Sequence, residues 1–123
     1  MNNDSKTLLV VDDEQDLCES ISFVFDDAGY QTFLAHNILQ AKELLQEHHI
    51  AFVISDVRLP DASGIDLLHW IQQGHAKQMS QVILISGYID AELQEAEFSA
   101  AKAVLKKPIE LEELFQVVEN LRN

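Results

Sequence analysis

The sequence predicts an α/β domain with a parallel β-sheet and helices on both of its faces. Short apolar runs alternate about five times with segments whose apolar residues recur at helical spacing. This alternation is typical of parallel strands joined by right-handed helical crossovers. Most of the apolar runs stop at a charged or hydroxyl residue, and the carboxyl ends of parallel strands meet at one edge, where ligands bind. That edge is the candidate functional site.

Composition and charge narrow the class of protein. The 123 residues are 47% apolar and 24% charged, as in globular domains. Asp and Glu number 21 against 8 Lys and Arg, a formal net charge of −13, which argues against direct binding to nucleic acid. No apolar run approaches the ~20 residues that cross a bilayer, and the N-terminus lacks an apolar signal region. We expect a cytoplasmic domain that binds no membrane.

The first two strands are each followed by a helix. Residues 8–11 are apolar and stop at Asp12-Asp13-Glu14, after which apolar residues at helical spacing predict a helix that ends at Gly29. Residues 30–35 alternate loosely and predict the second strand. Asn37 is a plausible N-cap for the second helix, which is predicted to run to about residue 48.

The third strand is the centre of the prediction. Residues 51–56 form an apolar run that ends at a single carboxylate, Asp56, and turn-forming residues follow it. Ser63 is positioned to cap a third helix that ends near Gly74. A polar loop then leads to the fourth strand.

The remainder of the chain supplies two more strands. Residues 82–86 are the most continuously apolar run, which suits a parallel strand buried on both faces. A helix with a weak apolar face is predicted over 90–101, and a short strand over 103–105 stops at Lys106-Lys107-Pro108. An amphipathic helix over 111–121 completes the pattern.

The strand ends bring carboxylates, a hydroxyl and an ammonium to one rim. They are Asp12 and Asp13 after the first strand, Asp56 after the third, Ser86 after the fourth, and Lys106-Lys107 after the fifth. Two like charges ~4 Å apart repel by about 4 kcal/mol at an effective dielectric near 20, so three carboxylates need a cation among them. Mg²⁺ suits a few hard oxygen ligands together with a phosphate oxygen. The rim therefore predicts a site for Mg²⁺ and a phosphoryl group. The second strand ends in Ala35-His36-Asn37 and adds no obvious charge.

Within such a site Asp56 is the candidate nucleophile, because carboxylates form aspartyl-phosphate intermediates. Ser86 is positioned to hydrogen-bond a phosphoryl oxygen, and Lys107 to neutralise it. Each residue also has a plainer interpretation: Asp12 and Asp13 as charges at a helix N-terminus, Asp56 as a turn former, Lys107 as a solvated lysine. One site explains all of them together, which favours the functional interpretation.

The chain resembles the receiver domain of two-component response regulators. The matching stretches, in the family's order and spacing, are Val10-Val-Asp-Asp-Glu14, Asp56-Val-Arg-Leu-Pro60 with Gly64, Ser86-Gly87, and Lys107-Pro108. The resemblance implies a flavodoxin-like doubly wound sheet of five parallel strands in the order 2-1-3-4-5. It also implies that residues 1–123 are a single receiver domain, with no output domain visible in this sequence.

By the same resemblance the chain is a signalling domain and not an enzyme, with only self-phosphorylation and self-dephosphorylation chemistry. A histidine kinase or phosphotransfer domain would supply phosphohistidine, and Asp56 would accept its phosphoryl group. The implied ligands of Mg²⁺ are the carboxylates of Asp12, Asp13 and Asp56 and the backbone carbonyl of Arg58. Ser86 and Lys107 would bind the phosphoryl oxygens. Lys107 is preferred to Lys106 because it directly precedes Pro108, and the bond between Lys107 and Pro108 is expected to be cis.

One departure from the family concerns the output of the signal. Val104 stands where the family usually has an aromatic residue that swings inward on phosphorylation. We expect phosphorylation to shift the 87–107 region through other packing, and either a downstream output domain or a homodimer through residues 90–122 to read it. Arg58 and Tyr88 are predicted to shield the acyl phosphate from water.

Three other functions remain open from the sequence. A haloacid-dehalogenase-like, Mg²⁺-dependent phosphatase also uses a strand-end aspartate, but it wants a second acid where Arg58 stands. A flavin protein of the same fold needs a phosphate-binding loop where Asp12-Asp13-Glu14 stands. A pseudo-receiver, which is an interaction module independent of phosphorylation, is kept open by Val104.

Overall fold

The computed structural model describes residues 4–87 and 99–123, which form five strands and four α-helices after a 3₁₀ turn at Asp4–Lys6. The strands are β1 (Thr7–Val11), β2 (Gln31–Ala35), β3 (Phe52–Asp56), β4 (Gln81–Ser86) and β5 (Ala103–Lys106). The helices are α1 (Gln15–Asp27), α2 (Ile38–Glu47), α3 (Gly64–Gln72) and α4 (Leu111–Arg122). All five predicted strands are confirmed to within one residue at each end. The helix predicted over 90–101 falls mostly outside the described residues, and residues 99–101 are turn and bend rather than helix.

The sheet is parallel throughout, and its strand order is β2-β1-β3-β4-β5. This confirms the doubly wound architecture that the resemblance implies. Val11 of β1 pairs with Ala35 of β2 and with Ser55 of β3, while Asp56 pairs with Ile85 of β4. The residues that follow β1 and β2 therefore stand level with Asp56 at the carboxyl edge of the sheet.

Each face of the sheet carries its own hydrophobic core, because successive strand residues point to opposite faces. Leu9, Val11 and Val53 pack beneath α2 and α3, whereas Leu8, Val10 and Ile54 pack beneath α1 and α4. Burial on both sides explains why β1, β3 and β4 read as continuous apolar runs. No helix in the described part of the chain is both long enough and apolar enough to span a membrane.

The predicted helix caps and the predicted cis bond are confirmed. Asn37 accepts a hydrogen bond from the backbone N–H of Gln40 at the start of α2. Ser63 and Asp66 form a reciprocal capping box at the start of α3, which satisfies two backbone donors that a helix terminus leaves unpaired. The Lys107–Pro108 peptide bond is cis.

Candidate functional site

Three carboxylates meet at the carboxyl edge of the sheet. Asp12, Asp13 and Asp56 each offer one oxygen, and these oxygens all lie within 4.8 Å of one another. Asp12 and Asp56 are buried, at 1% and 6% exposure, whereas Asp13 is exposed. The predicted convergence of these side chains on one rim is therefore what the structure shows. They come together because β1 and β3 are neighbours and both end at this level.

Asp12 shows how the cluster fits a cation. Its Oδ1 accepts the backbone N–H of Glu14 at 2.8 Å, but its Oδ2 is buried without a hydrogen-bond partner among the described residues. Burial raises the pKa of Asp12 above its usual range, and the nearby Asp56 carboxylate adds to the rise. A buried acid with an unsatisfied oxygen costs free energy unless a cation fills the place. The donor set, few and all oxygen, suits Mg²⁺.

Lys107 supplies the only side-chain ammonium that the described residues bring to this cluster. Its Nζ donates to Asp56 Oδ2 at 2.9 Å and lies 3.9 Å from Glu14 Oε1. Burial lowers the pKa of Lys107, but the hydrogen bond and charge of Asp56 outweigh burial, so the net direction is upward. Lys106, the last residue of β5, is exposed, whereas the side chain of Lys107, which follows it, faces the carboxylates. Of these two lysines, Lys107 is the one whose Nζ contacts the cluster, and its role toward a phosphoryl group remains a prediction.

The turn after β3 is packed closely against Asp56. A Cβ added at Gly64 would meet the carbonyl oxygen of Asp56 at 2.4 Å and Ser55 Oγ at 2.8 Å. Ser55 Oγ donates to that same carbonyl at 2.9 Å, and Gly64 donates its N–H to the Val57 carbonyl at 2.8 Å. Only glycine permits this approach, so the backbone at the end of β3 is fixed by its contacts with the start of α3.

Two other predicted site residues, Ser86 and Arg58, lie near the cluster through backbone contacts. Ser86 is buried at the end of β4, and its carbonyl accepts the N–H of Lys107 at 2.9 Å. The backbone N–H of Arg58 lies 3.4 Å from Asp56 Oδ1, a long contact, and the residue is exposed. The roles of the Arg58 carbonyl and of Ser86 Oγ toward ligands remain predictions. Tyr88 lies outside the described residues.

Three residues near the rim had no role in the sequence-based prediction. His36 Nδ1 and Cys18 Sγ both reach the backbone carbonyl of Asp12, at 3.1 and 3.3 Å. Asp61, in the loop after β3, accepts the backbone N–H groups of Ile38 and Leu39 at 2.9 and 3.0 Å, and these hydrogen bonds lower its pKa. The position of His36 at the end of β2 was the available signal for its contact with Asp12. Nothing in the sequence indicates that Asp61 reaches α2.

Comparisons with known proteins agree with this geometry. The family model of the response regulator receiver domain matches residues 8–119. The chain belongs to this family. Receiver domains are signalling domains of two-component systems, and the cluster of Asp12, Asp13 and Asp56 corresponds to the acidic pocket in which they bind Mg²⁺.

This receiver domain is similar to two response regulators and to a solved receiver domain. It is 34% identical over 110 residues to response regulator protein PilR of Pseudomonas aeruginosa, a match that covers 89% of the chain and 24% of PilR. It is 32% identical over 118 residues to response regulator Rre1 of Synechocystis, covering 94% of the chain and 51% of Rre1. The crystal structure of a signal receiver domain from Bermanella marisrubri aligns with a TM-score of 0.85 at 29% identity, over 96% of this chain and 98% of that one. The chain therefore spans about a quarter of PilR and about half of Rre1.

Proposed function

We propose that Asp56 accepts a phosphoryl group from the phosphohistidine of a histidine kinase or phosphotransfer domain. The observation that carries this proposal is the Asp56 carboxylate itself, which lies at the end of β3 between Lys107 and the acids Asp12 and Asp13. In the transfer, a carboxylate oxygen of Asp56 forms a bond to phosphorus while the bond from phosphorus to the donor imidazole nitrogen breaks. The electron pair of the broken bond stays on that nitrogen.

The surrounding residues prepare Asp56 for this step. Lys107 holds one carboxylate oxygen and carries the positive charge that a phosphoryl oxygen attracts, and Ser86 would donate a hydrogen bond to another such oxygen. Asp12, Asp13, Asp56 and the Arg58 carbonyl would hold Mg²⁺. When bound, Mg²⁺ would offset the charge of the carboxylates and of the phosphoryl group.

Phosphorylation is proposed to change the 87–107 region and through it the binding of a partner. The partner is proposed to be an output domain or a second copy that docks on residues 90–122. The greater length of PilR and Rre1 supports an output domain. We infer that residues 1–123 form one receiver domain that works in the cytoplasm, and that its only chemistry is self-phosphorylation and self-dephosphorylation.

The test is to incubate the protein with acetyl phosphate or phosphoramidate and Mg²⁺ and to measure its intact mass. The wild type is expected to gain one phosphoryl group, and the gain is expected to vanish in Asp56→Asn. Asp61→Asn is the matched control, because Asp61 is an acid in the loop that follows Asp56 and its carboxylate contacts the start of α2. A wild type that gains no mass with either donor would refute the proposal.

Arg58 and Tyr88 are proposed to control the lifetime of the phosphoryl group by shielding it from water. Arg58→Ala and Tyr88→Ala are then expected to change the rate at which the phosphorylated protein loses its added mass. Equal rates in the wild type and both variants would count against this role.

A pseudo-receiver is the second candidate, and Val104 favours it. Val104 of β5 pairs with Leu84 of β4 and is 38% exposed. Because it is a valine, it offers no aromatic ring that could swing inward. A pseudo-receiver would bind its partner equally well before and after treatment with acetyl phosphate. Affinity for that partner that differs between the two forms, and no longer differs in Asp56→Asn, would exclude it.

A further inference from the structure

The backbone of Asp12 is held by three contacts from outside β1. Its N–H donates to the Ala35 carbonyl at 3.0 Å, and its own carbonyl lies 3.1 Å from His36 Nδ1 and 3.3 Å from Cys18 Sγ. The contacts come from two different elements, the end of β2 and the first half of α1. They fix the peptide groups on both sides of a residue whose carboxylate belongs to the acidic cluster.

The proton on His36 is assigned by its partner. A backbone carbonyl oxygen can only accept, so His36 Nδ1 must donate in this contact. His36 is itself fixed, because its backbone N–H donates to Gln40 Oε1 at 2.9 Å, in the first turn of α2. The ring is half-buried beside the rim and is not simply a solvated strand-end side chain.

Cys18 is the second donor to the same carbonyl. The residue is fully buried, and burial raises the pKa of its thiol to about 11, so the thiol keeps its proton near neutral pH. A protonated thiol is a weak hydrogen-bond donor, and the Asp12 carbonyl is the acceptor within its reach. Cys18 therefore packs in the hydrophobic core and also contacts the Asp12 carbonyl.

Fixing the backbone also fixes the carboxylate. Asp12 Oδ1 accepts the N–H of Glu14 at 2.8 Å, and Oδ2 is buried with no hydrogen-bond partner among the described residues. With both peptide groups and one oxygen held, the free oxygen is presented in one place. Groups that hold metal ligands in this way typically contribute about 10-fold to 100-fold in metal affinity.

We propose that His36 and Cys18 are positioning residues for the divalent cation, acting through the backbone carbonyl of Asp12. The inference rests on the proposed function, since it assumes that the acidic cluster binds Mg²⁺. It adds the end of β2 and the core of α1 to the residues on which the metal site depends. It also ties the cation to the first turn of α2, which His36 contacts through Gln40.

The test is the Mg²⁺ affinity of the unphosphorylated protein, measured from amide chemical shifts during a titration. His36→Ala is expected to bind Mg²⁺ about 10-fold more weakly. His36→Asn is expected to bind nearly as the wild type does, because the side-chain amide nitrogen of asparagine can take the place of Nδ1. His48→Ala is the matched control, since His48 is also half-buried but stacks on Phe33.

Cys18 is tested by the same titration. Cys18→Ala removes the donor and is expected to weaken Mg²⁺ binding, while Cys18→Ser keeps a donor and is expected to preserve it. Melting temperatures recorded with and without Mg²⁺ separate positioning from general stability. A purely structural contact would lower both temperatures equally, whereas a positioning contact reduces the increase that Mg²⁺ produces.

The outcomes are distinct. Wild-type affinity in His36→Ala and Cys18→Ala, or equal loss in His36→Ala and His36→Asn, would overturn the inference and leave the proposed function standing. Equal drops in melting temperature with and without Mg²⁺ would overturn it as well. A wild type that binds no Mg²⁺ and gains no phosphoryl group would remove the proposed function, and the inference with it.

Discussion

Two clusters of charged side chains lie at opposite ends of the sheet and differ in how their charges are balanced. At the carboxyl end the acids outnumber the cations: Asp12, Asp13 and Asp56 cluster together, and the ammonium of Lys107 contacts Asp56 and Glu14. At the amino end one acid faces two cations. There Glu119 of α4 accepts hydrogen bonds from Tyr30 and Arg122, and Lys6 lies over the Tyr30 ring.

The pKa values of the acids show what this difference means. Hydrogen bonds from Tyr30 and Arg122 lower the pKa of Glu119, whereas burial raises that of Asp12. An acid with a lowered pKa stabilises the fold in its charged form, and one with a raised pKa destabilises it. The amino-end cluster therefore connects α4 to the loop before β2. The carboxyl-end cluster keeps an excess of negative charge that a bound cation can offset, as expected of a functional site.

The largest predicted effect comes from removing one negative charge of the carboxyl-end cluster. Asp12→Asn is expected to weaken Mg²⁺ binding by roughly 100-fold, the upper end of the range for groups that merely support metal ligands. The same variant is expected to unfold at a higher temperature than the wild type without Mg²⁺, because a buried charge is removed. Asp13→Asn is the control: Asp13 is exposed, so it should weaken binding without that gain in stability. Unchanged Mg²⁺ affinity in Asp12→Asn would contradict the conclusion that the carboxyl-end cluster is a cation site.

A second prediction tests the rigidity of the carboxyl end. Gly64→Ala is expected to lower the free energy of unfolding by about 2–3 kcal/mol, because the new Cβ would overlap the Asp56 carbonyl oxygen. Gly74→Ala is the matched control. Gly74 has a φ of 89° but open space around its Cβ position, so its replacement should cost only about 1–2 kcal/mol. Chemical denaturation of the two variants measures both. Equal losses would show that the turn after β3 can relax.

The amino-end cluster is tested with Tyr30→Phe, which removes one hydrogen bond to Glu119. The expected loss is about 1–2 kcal/mol in the free energy of unfolding, with Mg²⁺ affinity unchanged. Burial raises the pKa of Tyr30, and the Glu119 hydrogen bond adds to the rise. The stability from Tyr30 is therefore complete below the unfolded pKa of about 10 and is lost as the pH rises above it. Denaturation at pH 8 and pH 11 should show a smaller alkaline loss in Tyr30→Phe than in the wild type, and equal losses would refute this assignment.

The smallest predicted effect concerns Asp61. Its folded pKa is lowered by the N–H groups of Ile38 and Leu39, so its stabilising effect is present above the unfolded pKa and disappears as the pH falls toward the folded value. Between pH 5 and pH 3 the wild type is expected to lose more stability than Asp61→Asn, as thermal melts would show. Identical acid profiles would mean that this contact contributes nothing to the fold.

How far the sequence predicts the fold depends on the kind of interaction. The periodicity and length of the apolar runs located β1 to β5, because burial on one or both faces of a strand imposes those patterns directly. Strand-end logic placed Asp12, Asp13 and Asp56 together, because parallel strands share an edge. Strand boundaries shifted by one residue, since the last paired residue depends on the neighbouring strand.

The sequence by itself determined the sheet, the rim and the acids at its centre, since each follows from local burial and from the direction of parallel strands. The tertiary structure alone decided which side chains support those acids. The contacts from His36 and Cys18 to Asp12, from Asp61 to the start of α2, and from Tyr30 to Glu119 cross between elements 6 to 89 residues apart. Such contacts depend on register, helix rotation and rotamer together, and no local pattern in the chain encodes all three.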